Sequence, residues 1–217
     1  VNNFQHHVAR REFPDVAFVL NTCEGTVRIP EAGSLTIRAD SSFILPINLP
    51  MGDARLIYAT AQPITVLADE LVPHYFFVVP DGLEAELCFE AVGIKSVEGD
   101  TARRESEGRL ILRPRLGPDA TLTLTTRSGQ RLRVTTLSRD DAVQLWRGRA
   151  WGADRVILSS ADLTFADDGV VATTCGKATA SLRVWPAVER SSCCFRTSEM
   201  SRPSFVNFRR TFRDRSH

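Results

Sequence analysis

The sequence predicts an all-β fold: an antiparallel β-sandwich, built as one domain or as two β subdomains, with one short helix. Short runs of apolar and β-branched residues recur along the chain, separated by turn-forming residues at intervals of about 8–12 positions, which is typical of sandwiches and barrels. Residues 35–38, LTIR, alternate apolar and polar side chains as a half-buried strand does. Ser128-Gly129 separates two alternating runs, residues 121–126 and 131–137, and therefore predicts a β-hairpin.

The remaining strands follow from similar runs. In chain order they are predicted at residues 16–21, 26–30, 34–38, 43–49, 55–60, 64–67, 75–79, 85–91, 109–116, 155–159, 163–165, 170–174 and 179–185. Gln62-Pro63 interrupts the run RLIYATAQPITVL. Proline cannot donate to a sheet ladder, so it belongs at a strand start, an edge or a bulge. Both a bent strand and a hairpin fit this interruption.

One segment, SRDDAVQLWRG, predicts the helix. Ser138 lies three residues before Asp141, which is close to a capping box. Apolar residues that include Leu145 and Trp146 follow at helical spacing, and Gly148 is placed to end the helix.

Bulk composition describes an ordinary globular chain. Its 217 residues are 43% hydrophobic and 24% charged, with a net charge of +1. This balance gives no reason to expect nucleic acid or an anionic membrane as a partner. No apolar stretch approaches the roughly 20 residues of a membrane helix.

Charge and patterning indicate the domain organisation. Residues 1–185 are predicted to form one β-domain, and the charged segment 97–108 is either an exposed hairpin loop or a seam between two subdomains. Residues 186–217 carry seven arginines against three acidic residues and lack the alternating pattern. This tail is expected to be disordered, or to come from a reading-frame shift or a misassembled gene end. Because the chain begins without a methionine or a signal peptide, we expect it to be a fragment of a longer protein.

Metal-binding and redox patterns are weak. The five cysteines, Cys23, Cys88, Cys175, Cys193 and Cys194, have neither disulfide-framework nor zinc spacing. The first three lie in apolar runs and are predicted to be buried.

The histidines also lack a metal-binding pattern. His6 and His7 are adjacent and would project from opposite faces of a strand, so they are not expected to share a metal. His74 follows Pro73 and is expected either at the surface or in the core with its hydrogen bonds satisfied. We expect no metal and no cofactor.

Catalytic patterns are also lacking in the sequence, which contains no nucleophile elbow, phosphate-binding loop or metalloprotease motif. Glu84 and Glu86 would share one strand face, but a solvated face is a commoner explanation than a catalytic pair of carboxylates. We therefore predict no catalytic residue. Among the aromatic residues, Tyr58, Tyr75, Trp146 and Trp185 are assigned to packing. Trp151 is the candidate for an exposed ring that contacts sugar.

The succession of elements in residues 25–90 resembles the first β-domain after the catalytic barrel in family 35 glycoside hydrolases, the β-galactosidases. The residues that carry the resemblance are IPEAGSLTI (29–37), the apolar run 43–49, YATA (58–61), the aromatic run 75–79 and DGLEAELCF (81–89). The opening VNNFQHHVARREFPDVAF and the segment LSRDDAVQLWRG are similar to parts of the same region, so the resemblance covers about residues 1–185.

The resemblance implies that the parent is a retaining β-galactosidase with two catalytic glutamates in an upstream (β/α)₈ barrel. No residue of this chain matches either glutamate. We therefore expect an accessory β-domain, inactive by itself, whose partners are that barrel and galactoside-containing sugars. A carbohydrate-binding module acting by aromatic stacking and an interaction domain unrelated to sugar are the alternatives. Members of the family are often secreted or periplasmic, but the compartment of this chain does not follow from its residues.

Overall fold

Strands make up most of the computed structural model, which describes residues 1–8, 10–68, 71–173 and 181–188. The chain divides into two units, Val1–Val143 and Gln144–His217. The first unit contains β1 (Phe13–Val16), β2 (Phe18–Thr22), β3 (Gly25–Ile29), β4 (Leu35–Ile37), β5 (Ile47–Met51), β6 (Ala54–Ala59), β7 (Gln62–Leu67), β8 (His74–Val78), β9 (Leu87–Glu90), a 3₁₀ turn (Ala91–Gly93), β10 (Ile94–Glu98), β11 (Thr101–Ser106), β12 (Arg109–Pro114), β13 (Thr121–Thr126), β14 (Arg131–Leu137) and helix α1 (Arg139–Ala142). The second contains β15 (Leu145–Ala150), β16 (Ala153–Ser159), β17 (Asp162–Ala166), β18 (Gly169–Thr173) and β19 (Leu182–Trp185).

Two five-stranded sheets form the sandwich of the first unit. The front sheet has the strand order β11-β12-β9-β6-β5, and the back sheet has the order β10-β13-β14-β8-β7. Neighbouring strands are antiparallel except for β14 and β8, which are parallel. One apolar cluster contains residues of both sheets, including Leu56, Leu87, Phe89, Leu110 and Leu112 of the front sheet and Phe77, Leu122, Leu124, Leu132 and Val134 of the back sheet. The all-β sandwich prediction is confirmed.

A second apolar cluster lies on the outer face of the front sheet. Side chains alternate across a strand, so Cys88 and Ile111 point away from the cluster that contains Leu87 and Leu112. Tyr58 joins them on the outer face because the pairing of β6 with β9 shifts register between Leu56 and Tyr58, as at a β-bulge. They pack with Val27 and Ile29 of the β2–β3 ribbon and with Leu35 of β4. This covering layer makes the front sheet a central layer with two contacted faces.

The second unit has its own small core. β15, β16 and β19 form an antiparallel sheet, and β17 pairs with β18. Its buried apolar residues include Ala150, Ile157, Leu163 and Val170. Gly148 lies within β15, where a Cβ atom would overlap the ring of Phe165.

The interruption at Gln62-Pro63 marks a change of sheet. β6 ends at Ala59 in the front sheet, and β7 begins at Gln62 in the back sheet. Pro63 lies in an edge strand, beside a register shift between Pro63 and Thr65, where a missing N–H donor is tolerated. The hairpin predicted at Ser128-Gly129 is confirmed as β13–β14.

The predicted helix is only one turn long. Ser138 caps it as expected, because its side chain accepts a hydrogen bond from the Asp141 N–H at 3.1 Å. Leu145, Trp146 and Gly148 were wrongly placed in or at the end of the helix. They lie in β15, whose six residues all pair with β16, so sheet pairing overrides the helical spacing.

Residues 97–108 contain strands, so their interpretation as a loop was wrong. β11 pairs with β12 along its whole length, from Thr101 opposite Pro114 to Ser106 opposite Arg109. It is an edge strand, and its charged side chains are typical of edges that resist pairing with other chains. Most of the predicted tail, residues 189–217, lies outside the described residues. The boundary at residue 185 therefore stays a prediction.

Candidate functional site: a buried glutamate that holds an arginine

Glu86 lies just before β9, at the point where β6 leaves the front sheet. Its backbone is fixed there by Thr60: the Glu86 N–H donates to Thr60 Oγ1 at 2.7 Å, and the Thr60 N–H donates to the Glu86 carbonyl at 2.9 Å. Glu86 is only 2% exposed, although it carries an ionisable side chain. Such burial requires partners for both carboxylate oxygens.

Four hydrogen bonds satisfy the Glu86 carboxylate. Oε1 accepts from the Tyr58 hydroxyl at 2.7 Å and from the Glu31 backbone N–H at 2.9 Å. Oε2 accepts from Nε and Nη2 of Arg113 at 3.0 and 2.9 Å. Because all four donors converge on the carboxylate, they fix its position, and the carboxylate in turn fixes the plane of the Arg113 guanidinium.

Tyr58 contributes the neutral donor of this cluster. Burial, and then its hydrogen bond to Glu86, raise the pKa of the Tyr58 phenol far above its ordinary value. The hydroxyl therefore stays protonated and donates to the carboxylate throughout the usual pH range.

A second ion pair joins the covering layer to the front sheet. Arg109 Nη1 lies 3.1 Å from Glu31 Oε2, and Arg109 Nη2 donates to the Thr26 carbonyl at 3.0 Å. Since the backbone N–H of Glu31 also binds Glu86, the two pairs form one network. The network connects the β2–β3 ribbon and the segment after it with β6, β9 and β12.

A depression of about 180 Å³ opens beside this network. Its lining includes Glu31, Glu86, Arg104, Ile111 and Arg113. The Arg113 side chain is 47% exposed, whereas that of Glu86 is 3% exposed, so the depression presents guanidinium rather than carboxylate. With both oxygens hydrogen-bonded by protein donors, Glu86 positions Arg113.

The expected pairing of Glu84 and Glu86 on one solvated face was wrong. Glu84 is exposed, but Glu86 is buried in the network with Arg113. Sequence reasoning treated Arg113 only as part of a strand. A signal was present, because Arg109, Ile111 and Arg113 fall on one face at period two, but it does not identify the acidic partner across the sheet.

The other sequence candidates are not members of this network. Trp151 occupies the turn between β15 and β16, half-buried, with a left-handed φ of 51°. His74 is satisfied in the core: its Nε2 lies 2.8 Å from Thr135 Oγ1, and its ring stacks on Phe76 with centroids 4.2 Å apart. Burial first, and then the Arg133 charge, lower the pKa of His74 to about 3.

The described cysteines differ from each other. Cys88 is buried, as predicted, and burial raises the pKa of its thiol to about 12. Cys23 is exposed in the β2–β3 turn, so its predicted burial was wrong. Cys175, Cys193 and Cys194 lie outside the described residues.

The two N-terminal histidines also differ from expectation. His6 and His7 lie in a turn with their rings stacked 3.7 Å apart, so they do not project from opposite strand faces. Within the described ranges, no three His, Cys, Asp or Glu side chains cluster in a way that could hold a metal ion. No helix in that same part of the chain has the length and apolar character needed to cross a membrane.

Fold and site together define a β-sandwich domain whose buried charges tie its layers to each other. The family model for domain 2 of β-galactosidases matches residues 5–151, more than half of the chain. The chain therefore belongs to the β-galactosidase domain 2 family. No curated protein matches it.

Proposed function

We propose that the chain is an accessory β-domain of a β-galactosidase-like glycoside hydrolase, and that it supports a catalytic barrel encoded elsewhere in the parent. The observation that carries this proposal is the domain 2 match over residues 5–151. The parent's other domains, the barrel first, are the partners that this role requires.

The Glu86 network supports a structural role. Its carboxylate, the most deeply buried among the described residues of the first unit, accepts hydrogen bonds from protein donors at both oxygens. A glycosidase needs two carboxyls on either side of a scissile bond, about 5–9 Å apart and open to the sugar. Glu86 has no free oxygen for this task, and the neighbouring Glu84 faces solvent.

The direct test is hydrolysis of a chromogenic β-galactoside by the purified chain. We expect no hydrolysis above the rate in buffer alone between pH 3 and 8, the pH range in which catalysis by carboxylates would be seen. Turnover that is lost in Glu84→Gln or Glu86→Gln, with the fold retained by circular dichroism, would overturn the proposal. Sequencing the DNA upstream of Val1 provides a second test, since an open reading frame without a barrel would contradict the assignment.

Trp151 favours a second candidate function, the binding of galactoside-containing sugars. It is a bulky residue held in the left-handed region at a hairpin turn, and such outliers cluster at ligand sites. Titration with galactose should then give a saturable change in tryptophan fluorescence that Trp151→Leu abolishes and Trp185→Leu retains. An unchanged spectrum up to high sugar concentration would remove this candidate.

A further inference from the structure

We infer that the depression beside Glu86 is a binding site for a carboxylate monoanion, with Arg104 and Arg113 as its ligands. This inference goes beyond the accessory role and does not depend on it. The site lies wholly in the first unit, on the outer face of the front sheet.

The strand register brings the two arginines together. In the β11–β12 pair, Ala102 lies opposite Arg113 and Arg104 lies opposite Ile111. Residues directly opposite in an antiparallel pair project to the same face, so Arg104 and Arg113 are diagonal neighbours about 7–8 Å apart at the backbone. Ala102 and Ile111 form the low floor between two long side chains, which is why a depression exists here.

Glu86 prepares Arg113 for a ligand. Nε and Nη2 of Arg113 are fixed on Oε2 of the buried carboxylate, whereas Nη1 has no hydrogen bond or ion pair among the described residues. A guanidinium held in one plane loses little freedom when it binds an oxyanion, and its fork matches a carboxylate. This arrangement places the free edge of Arg113 at the depression.

The local charge favours an anion. Arg113 is offset by Glu86, and Arg109 by Glu31. Arg103 and Arg104 also border the depression, both exposed, and neither has an acidic partner in the described part of the chain. The surplus is therefore positive.

The two glutamates on the same lining limit that surplus. Three arginines against two glutamates leave the lining with a surplus of one positive charge, which a monoanion neutralises. A dianion exceeds this surplus and costs more to desolvate, which favours a carboxylate over phosphate. The volume of about 180 Å³ is below the roughly 300–1,000 Å³ of ordinary small-molecule pockets, so it suits one acidic group rather than an oligosaccharide. A sugar acid and a glutamate-type side chain share this chemistry.

Calorimetric titration of the full chain at low ionic strength tests the inference. The probes are two matched pairs: galacturonate with galactose, and blocked glutamate with blocked glutamine. We expect saturable heat from at least one acid, and the tighter acid identifies the source. Arg104→Gln should weaken that binding at least tenfold. Arg131→Gln is the matched control, because Arg131 is an exposed strand arginine of the back sheet, and it should leave binding unchanged.

A second variant tests the arginine that Glu86 holds. Arg113→Lys keeps a positive charge beside Glu86 but removes the planar fork, so it should weaken binding while the chain stays folded. The inference fails if neither acid binds, or if the Arg104→Gln variant binds the acid as tightly as the parent chain does. It also fails if galactose or blocked glutamine binds as tightly as the matching acid and this binding is weakened by Arg104→Gln. Inorganic phosphate that binds more tightly than both acids would also overturn it.

Discussion

The two faces of the front sheet are built from the same strands but stabilise the domain in different ways. On the inner face, Leu56, Phe89 and Leu112 pack in an apolar cluster shared with the back sheet. On the outer face, Tyr58 and Arg113 belong to the charged network of Glu86. The inner face gains stability from burial that needs no specific partner. The outer face combines a smaller apolar cluster with charges, and each of these charges depends on its own partner.

The largest loss of stability should come from a cavity on the inner face. Phe89 is fully buried between the sheets, so Phe89→Ala removes a whole ring from a close-packed core. We expect a loss of about 3–5 kcal/mol in the free energy of unfolding, measured by urea denaturation. Phe4→Ala is the control, because Phe4 is 53% exposed and should cost little. Equal losses in the two variants would refute the assignment of this core.

The next effect should come from removing a partner on the outer face. Arg113→Met takes two hydrogen bonds from a carboxylate that stays buried, and should cost about 3 kcal/mol. Arg131→Met on the back sheet removes an exposed arginine and should change the unfolding free energy by less than about 0.5 kcal/mol. If Arg113→Met and Arg131→Met lose the same unfolding free energy, the buried Glu86 carboxylate does not depend on Arg113.

In the back sheet, the buried His74 should make the unfolding free energy depend on pH. The pKa of His74 is about 3 in the folded chain but about 6.5 when unfolded, so between these values only the unfolded chain takes up the proton. Stability is full above pH 6.5 and falls as the pH drops toward 3, by about 2 kcal/mol at pH 5 from this residue. His74→Gln should flatten this part of the profile relative to the parent chain, while the exposed His6→Gln should not. Superimposable profiles for the parent chain and His74→Gln would contradict the burial of a neutral histidine.

The smallest effect should come from the neutral donor of the network. Tyr58→Phe keeps the ring in the outer apolar cluster but removes one of four hydrogen bonds to Glu86. The loss should be about 1–2 kcal/mol, because one buried acceptor site is left unsatisfied. Thermal or urea unfolding measures it. A variant as stable as the parent chain would show that the hydroxyl is dispensable to the carboxylate.

Hydrophobic periodicity predicts part of this molecule. Alternating Leu and Val residues identify the β13–β14 hairpin and most strands, because burial of one face imposes period two. The pattern fails where strand pairing competes with helical spacing. Trp146 has helical spacing with its neighbours but joins a strand, because β16 pairs with the whole of β15.

The charged network was harder to predict because its members lie far apart along the chain. Glu86 is polar within an apolar run, and sequence reasoning placed it at the surface. Its burial depends on Tyr58, on Arg113 and on the backbone of Glu31, which are 28, 27 and 55 residues away along the chain. Separations of this size carry no local signal. The family resemblance, in contrast, rests on the order of short elements, and the domain 2 match confirms it.

A double-mutant cycle between Glu86 and Arg113 tests most directly whether the outer face depends on matched charges. The unfolding free energies of Glu86→Gln, Arg113→Met and the double variant are measured in urea at pH 7. We predict that the double variant is more stable than Arg113→Met, with a coupling energy of about 1–3 kcal/mol, because the neutral amide no longer leaves a charge buried without its arginine. Additive losses, with no coupling, would contradict the account.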